Sequence, residues 1–345
     1  MNSPDPDAAP EIPDSPDTRS SGFRVIPFLV LGLPIGLFVL GAISLIIYVT
    51  KKPDPDFDAN EQIRLEAAAL NRAPVSESDL ERSLSVLAER IGPRHLGEPD
   101  ALAGAAAWIE STLGGGNIGY PVKTVPFSTS EGIGKNLVAT LPGATRRGEV
   151  VIVAAHYDSP KQSAGANNNA SGISALISLA RALAGDPQQR SIRFVAFSND
   201  EATEVSERGS VRFANDAREA EERIVGALYL DTIARGSGDS DDFQITFYGD
   251  TNSQYITRSA NAAFRNASEQ RAEADTTSYN SADLQLGVAK AFWDMGYFAV
   301  LATGASDLSG NGDGPDETIE DLDLEAFADS VRGMEAVIRE WANPD

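Results

Sequence analysis

Residues 1–24 are polar, rich in Pro, Asp and Ser, and show no hydrophobic periodicity, a composition that predicts a disordered acidic tail. From Val25 to Thr50 the pattern reverses: 26 residues carry no charge and are largely apolar, bounded by Arg24 and by Lys51–Lys52. Crossing a hydrocarbon core takes about 20 residues, and Pro27 and Pro34 are tolerable in a spanning helix. A cleavable signal peptide would have an apolar region of about 7–15 residues followed by a small-residue cleavage site. Neither feature is present, so the expectation is an uncleaved, single-pass membrane anchor at 25–50. Basic residues flank both sides (Arg19 and Arg24; Lys51, Lys52 and Arg64) and do not set the orientation. The soluble part is expected on the extracytoplasmic side.

Residues 51–75 read as a linker with a short helix. Ser76, with Asp79 three residues later, then opens a helix by a capping arrangement, and Leu80, Leu84, Leu87 and Ile91 form an apolar stripe at helical spacing. A second helix is predicted over Pro99–Leu113, stopped by Gly114–Gly116. From residue 136 short apolar runs alternate with helices. Asn136–Leu141, Val150–Ala155, Ile192–Phe197 and Ile224–Leu230 read as buried strands, and Ile173–Leu183 as a helix between them. The alternation predicts an α/β domain over 76–343, with a largely parallel sheet covered on both faces.

Ligands of such sheets gather beyond the carboxyl ends of the strands. Three predicted strands end there in chemically able residues. The first leads to His156 and Asp158, the second to Asp200 and Glu201, the third to Asp231. Between the first two lies the polar turn Gly165–Gly172. A single acid at a strand end is usually a cap or a solvated loop residue; three in succession with a His form a much rarer constellation. Imidazole and carboxylate are the donors that borderline and hard cations need.

Composition narrows the partners. The formal charge of −23 repels nucleic acid, so no such partner is expected. The chain has no cysteine, which removes disulfides, a thiol nucleophile and Cys-ligated zinc. Asp307–Asp313 has oxygen donors at alternate positions and a Gly at the sixth, like the opening of a calcium loop, but position twelve is Thr318 rather than Glu. A flexible acidic loop is the preferred reading there.

The ordered motifs resemble peptidase family 28 of the dinuclear zinc exopeptidases. They comprise Ile91–Arg94, Lys135–Gly143, Val150–Ser159, Gly165–Gly172, Ile192–Glu201, Gly209-Ser210 and Leu228–Asp231. The resemblance covers about Ser76 to Trp341. It implies a three-layer, phosphorylase/hydrolase-like fold with a mixed, mostly parallel sheet, a zinc cofactor of one or two ions or none, and a peptide substrate or protein partner. It implies roles too: His156 as metal ligand, Asp158 as the carboxylate orienting it, Glu201 and Asp231 as further ligands. The bridging ligand position holds Asn168, the general-base position holds Asp200 where the family has Glu, and the last ligand position falls on Asp313 where the family has His. A Ser-Asp-His triplet of the family would fall on Gly287–Ala289. Two functions follow as expectations: zinc-dependent aminopeptidase-type hydrolysis of peptides, or a non-catalytic binding domain that keeps the peptidase fold.

Overall fold

The computed structural model describes residues 59–234, 243–275, 287–304 and 318–344. All of them fall in one compact unit that starts at Ala59. No helix among the described residues is long and apolar enough to cross a membrane, and the 25–50 run lies outside them.

Eight strands form one mixed sheet. In chain order they are β1 (Val122–Ser128), β2 (Ile133–Leu141), β3 (Arg146–His156), β4 (Arg190–Phe197), β5 (Arg223–Asp231), β6 (Gln244–Gly249), β7 (Arg271–Asp275) and β8 (Ala299–Thr303). Across the sheet the order is β1-β2-β4-β3-β5-β8-β6-β7. The central strands β4, β3, β5 and β8 are parallel, whereas β1, β2 and β6 join antiparallel. The central strands are buried on both faces, which is why they read as continuous apolar runs.

Helices cover the two faces, and the side-chain period of two assigns each residue to one of them. Val151, Val153 and Ala155 of β3 belong to the larger core, under α2 (Glu77–Leu84), α3 (Pro99–Leu113), α4 (Gly172–Ala182) and the helices α6 (Gln254–Ala267) and α8 (Leu324–Ala342). Val150, Ile152 and Ala154 face the smaller core with Ala217 of α5 (Gly209–Glu219) and Phe292 of α7 (Gly287–Asp294). The first helix, α1 (Ala59–Ala69), buries Ala68 against the larger core.

Local signals explain the boundaries. The Ser76 hydroxyl accepts from the Asp79 amide at 3.3 Å and caps α2. That helix runs on as a π-helical turn, Ser85–Ile91, and ends at Gly92, whose φ of 76° suits a residue without a Cβ. Helix α3 carries Pro99 at its first turn and stops at Gly114.

Candidate metal centre

The parallel register brings the carboxyl ends of β3, β4 and β5 to one edge: His156 lies opposite Phe197 of β4, and Ala154 opposite Tyr229 of β5. His156 is buried at this edge. Its Nδ1 lies 3.0 Å from the carbonyl oxygen of Asp158 and 3.4 Å from that residue's carboxylate. The other Asp158 oxygen accepts the Glu201 amide at 2.9 Å, which ties the end of β3 to the loop after β4. On the far side of the ring, Nε2 lies 3.6 Å from Glu201 Oε1.

Burial alone would depress the His156 pKa, but hydrogen bonding to Asp158 and the charges of Asp158, Asp231 and Glu201 outweigh it and push the value up to about 10. Asp158 is held below the usual carboxylate range: burial opposes this, and the His156 hydrogen bond and charge overcome it. Asp200 behaves oppositely. Burial first, then the Asp158 charge, raise it to about 7 against the lowering influence of His156 and Ser210. One Asp200 oxygen accepts both the Ser210 amide (3.1 Å) and the Ser210 hydroxyl (2.8 Å); its Oδ2 is buried without a hydrogen bond.

Asn168 belongs to the turn Ala166–Ser171, and its peptide bond to Asn169 is cis. Neighbouring polar side chains stitch this turn to the end of β5. Asn169 Nδ2 donates to the Leu230 carbonyl at 2.9 Å, the Ala234 amide donates to Asn167 Oδ1 at 3.0 Å, and the Ile233 amide to Ser171 Oγ at 3.2 Å. The turn carrying Asn168 is therefore fastened to the strand end carrying Asp231. Positive φ angles at Asn199 (63°) and Thr232 (49°) sit beside Asp200 and Asp231. A β-branched residue in that region is strained, and such strain concentrates at functional sites.

Sequence reasoning passed over several contributors. Ser210, at the first turn of α5, holds Asp200. Arg94 is fully buried and donates to the main-chain carbonyls of Tyr157 and Gly165. Both stand in quoted motifs, so their positions were visible although their contacts were not. Asp313 and the Asp307–Asp313 stretch lie outside the described residues. Gly287–Ala289 opens α7, and its Val288 and Ala289 are fully buried in the smaller core, where they offer no donor.

The domain matches the family model "Peptidase family M28" over residues 136–302. Those residues form a peptidase family M28 domain. Aminopeptidase YwaD of Bacillus subtilis (strain 168) is 33% identical over 107 residues, covering 26% of this chain. That stretch is only 24% of YwaD's own length. Among solved structures, BSAP, a zinc aminopeptidase from Bacillus subtilis, superposes with a TM-score of 0.62 at 16% identity, covering 78% of this chain and 96% of BSAP. A Fimbriiglobus ruber glutaminyl cyclase gives 0.59 at 18% identity, covering 78% and 96%. At these identities the likeness is one of fold.

The donors nearest one another at this edge, an imidazole and a carboxylate, are of the kinds that zinc accepts. A catalytic zinc takes three protein ligands and leaves a fourth position for water, and His156 with Glu201 supplies two of them. Two ligands each about 2.0–2.2 Å from a tetrahedral zinc stand roughly 3.4 Å apart, close to the 3.6 Å between His156 Nε2 and Glu201 Oε1. The third side of that pair is open: among the described residues no three His, Cys, Asp or Glu side chains close into a metal-holding group. The neutral amide of Asn168 stands where the family shares a negative charge between two dications.

Proposed function

We propose that this chain is a peptide hydrolase of aminopeptidase type that works with a single zinc ion at His156, Glu201 and Asp231. Asp313 would stand at the remaining ligand position. The observation that carries the reading is the His156–Glu201 spacing, backed by Asp158 on the opposite ring nitrogen. Zinc held there would polarise a carbonyl and acidify water. Asp158 holds His156 Nδ1, so that Nε2 is the nitrogen left for the metal. Asp200, which burial and the Asp158 charge raise above the ordinary carboxylate range, would take the proton from the attacking water and return it to the leaving amine. Its side chain is one methylene shorter than the family's Glu, and misplacing a catalytic group by ~1 Å costs about a hundredfold. Slow turnover is expected.

The charge of −23 supports a substrate other than nucleic acid. The 25–50 run supports attachment to a membrane. A second reading, a non-catalytic binding domain, draws support from Asn168 and from the open third side of the donor pair. One experiment separates the two. Bound metal and hydrolysis of aminoacyl reporters are measured on the full-length chain beside a variant with Asn168→Asp, Asp200→Glu and Asp313→His. Metal-dependent turnover by the unmodified chain supports the hydrolase. No metal and no turnover, with activity gained by the variant, supports the binding domain.

A further inference from the structure

Arg94 is fully buried, and burial drags its pKa down to about 10 although the Asp158 charge works to raise it. Every nitrogen of its guanidinium is spent on main chain. Nε donates to the Tyr157 carbonyl at 2.7 Å and Nη2 to the Gly165 carbonyl at 3.2 Å. Nη1 reaches the carbonyls of Ala164, Gly92 (3.3 Å) and Leu87 (3.4 Å). The backbone of Arg94 is fastened as well: its amide donates to Ser159 Oγ at 3.1 Å, and its carbonyl accepts the Ser159 amide at 2.9 Å.

These acceptors come from three places. Leu87 and Gly92 end the π-helical turn after α2. Tyr157 lies between His156 and Asp158. Ala164 and Gly165 lead into the turn that carries Asn168, and Gly165 takes a φ of 58° there. Stability alone would be served by capping the helix end, which has carbonyls to satisfy. The guanidinium instead also spans the two loops that hold the proposed site. Its planar fork reaches several acceptors in fixed directions, which a lysine ammonium cannot do.

We propose that Arg94 is a positioning residue: by clamping Tyr157 to Ala164 and Gly165, it sets the direction in which His156 Nε2 faces Glu201. The proposal rests on the reading above that this pair holds zinc. Its test uses the full-length chain and the fact that only two histidines exist, His95 and His156. Ring nitrogen signals of 15N-histidine protein are recorded metal-free, zinc affinity is measured by calorimetry, and melting is followed alongside. Arg94→Lys keeps the charge and loses the fork. It is expected to shift or broaden the His156 ring signals and to weaken zinc binding about 10–100-fold, the usual effect of losing a ligand's outer support. Val337→Ala, a core change on α8 remote from these loops, should lower the melting temperature and leave both readouts in place.

A folded Arg94→Lys protein with wild-type ring signals and zinc affinity overturns the proposal. Should that variant fail to fold, Ser159→Ala decides: changed His156 signals support the clamp, and unchanged signals overturn it. Failure of the unmodified chain to bind zinc sinks the metal reading, while the metal-free ring signals still decide whether Arg94 orients the imidazole.

Discussion

Replacing Ser210 by Ala should move the acid limb of the pH–rate profile upward. Ser210 gives Asp200 two hydrogen bonds, from its amide at 3.1 Å and its hydroxyl at 2.8 Å, and the substitution removes only the second. Burial is the dominant influence on Asp200 and the Ser210 hydroxyl the least of those that move it. The low end of the range for a hydrogen bond to a charged group therefore applies, about 1.5 kcal/mol. At 1.36 kcal/mol per pH unit that is a rise of about one unit. Asp200 acts as a base only when ionised. With a pKa of about 7, half of it is ionised at pH 7; raised by about one unit, roughly one part in eleven is. The value of kcat/KM should therefore fall by up to about tenfold on the acid side of the limb and be unchanged well above it. A bound cation lowers the pKa in both proteins, so the quantity to read is the displacement between the two profiles, taken with an aminoacyl reporter from pH 5 to 10. A uniform loss at every pH, with the limb unmoved, would refute Asp200 as the base that Ser210 tunes.

Three further outcomes are expected. Asn168→Asp restores a bridging carboxylate and should raise zinc content towards two ions per chain, measured by elemental analysis after dialysis; an unchanged content would contradict the charge argument. The metal-free protein should lose stability as pH rises from 6 to 10, because folding raises both pKa values, His156 from 6.5 to about 10 and Asp200 from 3.8 to about 7. A raised pKa stabilises below the unfolded value and ceases to do so above the folded one, so a flat melting curve against pH in the presence of chelator would count against it. Gly172→Ala would place a Cβ 2.5 Å from the Leu230 carbonyl and against the Asn169 amide. Urea unfolding should show a loss of about 1–3 kcal/mol, and a neutral result would mean that the turn bearing Asn168 is not fastened to β5 as described.

The parts of the fold legible from sequence share a physical reason. Strands β3, β4 and β5 are buried on both faces and so appear as unbroken apolar runs; α3 announces itself by Pro99 and Gly114. Strand β1 did not, because it is a half-exposed edge strand carrying Lys123 and Pro126. Strand β7 is a polar edge, Arg271–Asp275, and β8 is only five residues long. The site divides the same way. His156, Glu201 and Asp231 end or follow apolar runs, so their place at the sheet edge could be read. Arg94 could not be read as buried, since arginine rarely is, and its burial depends on five carbonyls brought together by the folded loops. The Asp200–Ser210 bond joins residues across a loop whose course no local pattern specifies.

Charge is what connects the altered positions. Around His156 stand Asp158, Asp200, Glu201 and Asp231, and without a metal the imidazole keeps its proton to well above neutral pH because those carboxylates demand a cation. A dication in that place would satisfy the same field with the imidazole neutral, as a ligand must be. A second dication would need another shared negative charge, and Asn168 does not provide it. In the proposed reading, the neutral amide at 168 lowers the anionic charge of the site, and that is the charge a second ion would need.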